Sequence, residues 1–338
     1  FKKANEDYTQ TGIKAFTIVS TLFPVVTLIL GMTNVAIILL GGHLVANMSM
    51  QVGDLIAFMT YATQIMISFM MLSMIFVFVP RASASATRVN AVLDQPISIH
   101  NAPEKDQEKI SINQPASLEF KNVDFRFHGA ERLALHDLNF KVTAGQTLAI
   151  IGGTGSGKSA LVNLIPRLFD IESGEIKVDG VPVKKLSQHN LHEVISITQQ
   201  QAVLFSGTIR SNLQFGYEEA TDKEMWYALE IAQAADFVRE EGGLDAVVEQ
   251  NGSNFSGGQR QRLAIARTII KPASIYVFDD SFSALDFETD AKLRAALAKD
   301  PQIQRAVTVI VAQRISTVVD ADQSIVLEEG RVVGQGTH

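Results

Sequence analysis

Between Ala15 and Gly53 the chain carries no Asp, Glu, Lys or Arg, and between Leu55 and Pro80 it again carries none. Nothing else in the sequence restricts its folding so strongly. An uncharged apolar run of this length buries itself in a bilayer, where about 20 helical residues span the hydrocarbon and satisfy their own backbone, or in the centre of a large core. The first reading predicts two membrane-spanning helices, near 15–41 and 54–80, joined by a polar turn through Gly42, Asn47, Ser49, Gln51 and Gly53. The flanking charges agree with it. Lys2, Lys3 and Lys14 precede the first run, Arg81 and Arg88 follow the second, and the turn holds neither Lys nor Arg, which places both ends on the cytoplasmic side. The alternative, two buried helices apolar on every face, accounts for the length but not for the flanking cations. Pro24 and Gly31 are positioned to kink the first span.

The rest of the chain is different in kind. Val89, Val92 and Leu93 suggest a short amphipathic continuation, and the polar stretch Asn101 to Gln114 reads as a linker, here bounded at 99–116. From Ser117 onward, short β-rich runs alternate with helical patterns, as in α/β domains. A net charge of −7 argues against nucleic acid as a partner, because affinity for a phosphate backbone comes from clustered Lys and Arg. No cysteine is present, which excludes disulfides, zinc–thiolate sites and thiol nucleophiles. The chain opens Phe1-Lys2-Lys3 without an initiator Met and stops at Gly336-Thr337-His338, so it reads as a fragment truncated at its C-terminus.

Leu148 to Ile151 is an apolar strand that runs into Gly152-Gly153-Thr154-Gly155-Ser156-Gly157-Lys158-Ser159, and a helical pattern follows from Ala160 to Leu168. This is the GxxxxGK[ST] phosphate loop in its strand–loop–helix setting. Its glycines let backbone amides converge on phosphate oxygens, and the helix N-terminus adds a positive dipole end. Lys158 supplies an ammonium to the β and γ phosphates of ATP, while the Ser159 hydroxyl is suited to Mg²⁺. A second partner for Mg²⁺ is expected at the end of another buried strand. Ser274-Ile275-Tyr276-Val277-Phe278-Asp279 provides it, with Asp279 acting through water.

Downstream, Asn254-Phe255-Ser256-Gly257-Gly258-Gln259-Arg260-Gln261-Arg262 closely resembles the signature sequence of ATP-binding cassette (ABC) proteins, with Phe255 where a leucine is usual. Further matches follow in the family's order. Gln200, before Leu204-Phe205-Ser206-Gly207-Thr208-Ile209, resembles the glutamine loop that touches Mg²⁺ and relays to the membrane domain. Ser283-Ala284-Leu285-Asp286 resembles the D-loop, and Phe127 stands where the family usually stacks a Tyr on adenine. Phe127 also fits a plain core position in a strand.

The resemblance implies an exporter half: two transmembrane helices, then an α/β P-loop NTPase domain of ABC type with a helical subdomain near 201–270. Residues 1–98 would be the C-terminal part of a transmembrane domain, and 117–338 the nucleotide-binding domain. It implies a multi-pass protein of the cell membrane with its ATPase domain in the cytoplasm. A second half-transporter would be the partner, and a small molecule, a hydrophobic compound or drug, the cargo. Ser256, Gly257, Gly258, Gln259 and Asp286 would complete the partner's ATP site.

Two positions depart from the family pattern. After Asp279 the family places Glu, the presumed base for the attacking water, but this chain has Asp280, whose carboxylate is one methylene shorter. The family's switch histidine is Gln313, an amide that can hydrogen-bond a γ-phosphate but carries no charge. Both fall in one composite site. The expectation is a site, built on Lys158, Asp279, Asp280 and Gln313, that binds ATP tightly and hydrolyses it slowly, as in the degenerate-site subunit of a bacterial heterodimeric multidrug exporter. The alternatives are a homodimer in which Asp280 is an adequate base, and a regulatory ATP-binding subunit with essentially no hydrolysis of its own. His43, His128, His136, His189 and His192 lack metal-ligand spacing, and Met66, Met70, Met71 and Met74 read as lipid-facing filler.

Overall fold

The structure, a computed structural model, describes residues 2–312 and 319–337. The chain divides after Ile97 into two compact units. The first is a helical hairpin of α1 (Lys2–Ala46) and α2 (Val52–Leu93). The segments Asn5–Ala46 and Val52–Leu72 are long and apolar enough to cross a membrane, with mean hydropathy of 2.3 and 1.7. Large apolar side chains such as Phe16, Phe23, Phe58 and Phe69 stand exposed along both helices, so lipid or another chain must cover them.

Both helices outrun the spans expected from the uncharged runs, and the turn is shorter. Gly42 and Gly53 lie inside the helices, and Gly41 packs against Leu55: a Cβ there would lie 2.3 Å from the Leu55 Cδ1 atom. The close approach of the helices therefore uses a glycine at the end of the first expected span. The Asp54 carboxylate accepts the Gln51 N–H at 3.2 Å and so starts α2. Thr27 and Thr60 return their hydroxyls to the carbonyls of Phe23 and Ile56, which leaves no side-chain donor facing outward at those points.

The second unit runs β1 (Ser117–Phe125), β2 (Leu135–Thr143), β3 (Thr147–Gly152), α3 (Lys158–Leu164), β4 (Ser173–Val178), β5 (Val181–Pro182), α4 (Gln188–Glu193) and β6 (Ile195–Thr198). It continues with β7 (Gly207–Thr208), α5 (Ile209–Gln214), α6 (Asp222–Ile231), α7 (Ala235–Glu240), β8 (Val247–Val248) and α8 (Gly257–Ile269). β9 (Ile275–Asp279), α9 (Phe287–Lys299), β10 (Val307–Ala312), β11 (Gln323–Glu328) and β12 (Arg331–Gly336) complete it. A six-stranded sheet has the order β12-β11-β3-β10-β9-β6, parallel from β11 to β6. A four-stranded antiparallel sheet, β2-β1-β4-β5, packs against it.

The main sheet separates two cores. Every residue of β9 and β10 is buried, the pattern of parallel strands covered on both faces. Along β9 the side chains alternate: Ile275 and Val277 join the core shared with the antiparallel sheet and α3, while Tyr276 and Phe278 join the core beneath α5 to α9. Tyr276 is fully buried and donates its hydroxyl to the Lys271 carbonyl at 2.9 Å, so its polar end stays satisfied. The 99–116 segment is not a slack tether. Ile110 exchanges hydrogen bonds with the Asn190 side chain at 2.9 Å in both directions, the Asn101 amide oxygen accepts the Gln188 N–H, and Ile110 and Ala116 are buried.

Parallel strands bring their carboxyl ends to one edge, where ligands of open α/β sheets are bound. β3, β10, β9 and β6 are neighbours, so the turns that leave β3, β9 and β6 meet there. Those strand ends and turns carry the glycine loop, Asp279-Asp280 and Gln200.

Candidate functional site

The glycine loop leaves β3 and enters α3 through Gly155 and Gly157, at φ of +82° and +103°. Any other residue at Gly157 would be strained, and its Cβ would meet Leu135 at 2.8 Å. The Lys158 side chain folds back over the loop, where its ammonium donates to the carbonyls of Gly152 and Gly153 at 2.7 and 2.8 Å. It is 9 % exposed, a low value for a lysine, and these charge-assisted bonds account for it. Ser156 is buried within the loop, and Ser159 lies exposed in the first turn of α3.

A cleft of about 830 Å³ opens beside the loop. Gly155, Gly157, Lys158 and Ser159 line it together with Phe127, a residue 42 % exposed. The loop and the aromatic ring that the sequence singled out therefore share one concavity. Arg132, His136 and Arg331 also line it and were not anticipated. No local signal marks them, because they converge only through the pairing of β11 with β3 and of β1 with β2.

Gly330, in the turn between β11 and β12, stitches this wall together. Its N–H donates to the Ser156 carbonyl at 3.0 Å, and its own carbonyl accepts the His136 N–H at 2.8 Å. Its φ is +77°, and a Cβ would lie 2.3 Å from the Ala134 carbonyl oxygen. Gly330→Ala is expected to destabilise the domain by about 2–3 kcal/mol, since backbone must move to relieve the clash. A thermal unfolding midpoint equal to that of the wild type would contradict this.

Asp279 ends β9, 8 % exposed, and α3 packs against that strand. Burial is the main reason its pKa is pushed up to about 6. The charge of Asp280 adds to the shift, and Lys158 opposes it. A buried carboxylate repelled by its neighbour is a group that a divalent cation would relieve, and the all-oxygen donor pair of Ser159 and Asp279 suits Mg²⁺. Asp280 follows in a left-handed conformation, φ +47°, its N–H donated to the Val311 carbonyl at 3.1 Å. The Gln200 side-chain amide, in the turn after β6, donates to Asp280 Oδ2 at 3.4 Å. Gln313 lies outside the described residues.

The signature residues lie apart from this group. Ser256 caps α8: its hydroxyl accepts the Gln259 N–H at 3.3 Å, while the Gln259 side chain accepts the Ser256 N–H at 2.8 Å. Ser256 and Gly257 are exposed, and a Cβ on Gly258 would lie 3.4 Å from the Ala284 carbonyl. Asp286 caps α9 by accepting the Thr289 N–H at 2.9 Å, and this bond holds its carboxyl below the usual range. Ser256, Gly257 and Asp286 are exposed, Gly258 and Gln259 half-buried, and none of them is among the residues that line the cleft.

Residues 135–283 match the sequence profile of the ABC transporter family. An uncharacterised ABC transporter ATP-binding protein of Mycobacterium tuberculosis is 42 % identical over the whole chain, which covers 58 % of that protein. An ATP-dependent lipid A-core flippase of Hahella chejuensis is 33 % identical, again over the whole chain and 57 % of the relative. The structure of a bacterial Atm1-family ABC exporter with ATP bound superposes with a TM-score of 0.83 at 30 % identity, covering 98 % of this chain and 57 % of the other. The chain thus spans somewhat more than half the length of the proteins it resembles. Glycine loop, buried aspartate and signature cap occur in the order and setting of one fold: residues 135–283 match the ABC transporter family within an α/β domain of ABC type that follows two long apolar helices in the chain.

Proposed function

We propose that this chain is the ATP-binding part of an ABC exporter subunit, which couples MgATP binding and hydrolysis at a pair of cassettes to movement of a substrate across the cell membrane. The observation that carries this reading is the convergence of Lys158, Asp279, Asp280 and Gln200 beside a cleft that also contains Phe127. Phe127 stacks the base, and the loop amides with Lys158 hold the triphosphate. Ser159, Asp279 and Gln200 would hold Mg²⁺, which when bound would supply positive charge to the triphosphate. Ser256 to Gln259 and Asp286, outside the cleft, close over the nucleotide of a partner cassette. The cassette lies in the cytoplasm, and α1 and α2 lie in the bilayer among the helices of a complete transporter. Exposed apolar helices and a relative named for lipid A-core flipping favour an amphiphilic or hydrophobic cargo.

Within this reading the chain's own site binds ATP tightly and turns it over slowly, and the partner is a different half-transporter. Asp280 supports the first statement twice. Its carboxylate is one methylene shorter than a glutamate's, and it accepts the Gln200 amide, which draws it toward β6. A general base must reach within about 3 Å of the proton it removes. Gln313 supplies a neutral amide where a histidine would carry charge. In the intact protein in lipid nanodiscs, Asp280→Glu is expected to raise MgATP turnover at least about tenfold with little change in affinity. Unchanged turnover in Asp280→Glu, together with loss in Asp280→Asn, would instead make Asp280 an adequate base and favour a homodimer.

A further inference from the structure

Phe127 has no hydroxyl to fix its ring plane, so the plane must be set by what touches it. Two rings do so. Phe125, in the core, lies 4.8 Å away at 76°, and Phe169 lies 5.4 Å away at 84°. Phe125 and Phe169 are themselves 5.6 Å apart, which closes a triangle of three aromatic rings beside the cleft. Phe125 belongs to β1, but Phe169 comes from the turn that follows the phosphate-loop helix.

That turn is built to hold one position. After α3 the Leu168 N–H donates back to the Asn163 carbonyl at 3.0 Å and the Arg167 N–H to the Leu164 carbonyl at 3.1 Å, the paired bonds of a helix end whose closing residue is left-handed. Glycine is usual at such a position, yet here it is Arg167 at φ +55°. A left-handed arginine is strained, and its side chain offsets that strain by ordering the turn. The guanidinium is buried, 4 % exposed for the residue, and donates to both Asp170 carboxylate oxygens at 2.7 and 3.3 Å and to the His100 carbonyl at 3.1 Å. Asp170 follows Phe169 directly, so the ion pair pins the backbone on either side of the ring.

We propose that Phe169 is a positioning residue for nucleotide binding: it sets the plane in which Phe127 meets the base, and the Arg167–Asp170 turn fixes Phe169 in place. The inference rests on the reading that the cleft takes ATP with its base against Phe127. It separates the base from the phosphates, because Phe169 supports the stacking ring while Lys158 and the glycine loop hold the triphosphate independently.

The test is isothermal titration calorimetry of the intact protein in nanodiscs, with MgATP and with magnesium tripolyphosphate, which lacks a base. Phe169→Ala is expected to weaken MgATP binding about fivefold and to leave tripolyphosphate binding within about twofold of the wild type. Phe169→Tyr restores MgATP binding, and Phe169→Leu, which keeps volume but loses the ring, behaves as Phe169→Ala. The Phe127→Ala, Phe169→Ala double variant binds no more weakly than Phe127→Ala alone. Equal weakening of both ligands by Phe169→Leu, or additive losses in the double variant, would overturn the proposal while leaving the ATP reading intact. A wild-type protein that binds tripolyphosphate but shows no gain from the base would overturn both.

Discussion

Lys158→Ala is expected to lower both MgATP affinity and turnover by at least about a hundredfold, the scale of removing one preorganised charge-stabilising donor. The ammonium is shielded from water and already aimed along the loop, bonded to the Gly152 and Gly153 carbonyls. Exchanging those carbonyls for phosphate oxygens costs little rearrangement and brings opposite charges together where screening is weak. Alanine removes the charge, the loop bonds and the attraction that opposes the rise of the Asp279 pKa. Binding by calorimetry and turnover by phosphate release should therefore fall together, with the nucleotide-free thermal midpoint as a check on folding. If a folded Lys158→Ala protein retained ATP as the wild type does, the cleft would not be a nucleotide site.

Asp279→Asn is expected to abolish metal-dependent turnover, a loss of at least about a hundredfold, while making the nucleotide-free protein more stable at neutral pH. The sign follows from where the proton sits. The folded protein holds the Asp279 proton up to about pH 6, against an ordinary value of 3.8, so over that interval the folded state binds more protons than the unfolded state. Burial therefore imposes a penalty that is absent below about pH 3.8, grows as pH rises, and is complete above about 6. Asparagine carries no such penalty and also relieves the repulsion on Asp280. Without metal or nucleotide, the thermal midpoint of Asp279→Asn should exceed that of the wild type by about 2–4 °C at pH 7.5, and the gain should shrink toward pH 4. A gain independent of pH would mean that packing, and not the carboxylate charge, decides the stability of this position.

What the sequence disclosed and what it withheld divide along one physical line. The glycine loop and Asp279 are legible because each is a local demand, amides that must converge and a strand that must end in a carboxylate. Ser256 to Gln259 are legible only through their resemblance to a family sequence, and their role as a helix cap emerges from the fold. The two long helices are legible because uncharged runs leave few alternatives. Arg132, His136 and Arg331 are silent, because they reach the cleft only when β11 pairs with β3 and the β11–β12 turn docks on the loop through Gly330. The 99–116 segment is polar and aperiodic, which reads as linker, yet Asn101 and Asn190 attach it by bonds that no composition reveals. Gly41 reads only as the last residue of the first span and is the point where one helix admits the side chain of another.

The reciprocal cap at the head of α8 has a kinetic consequence. Because Ser256 and Gln259 already satisfy each other, that stretch of backbone is stiff before anything arrives, and the amides of Gly257 and Gly258 lead the helix with no earlier turn to bond. A docking γ-phosphate would find its receptor prearranged, so little entropy would be lost at the moment of contact. In the proposed dimer, the rate at which two subunits come together over ATP would then be limited by the swing of whole domains.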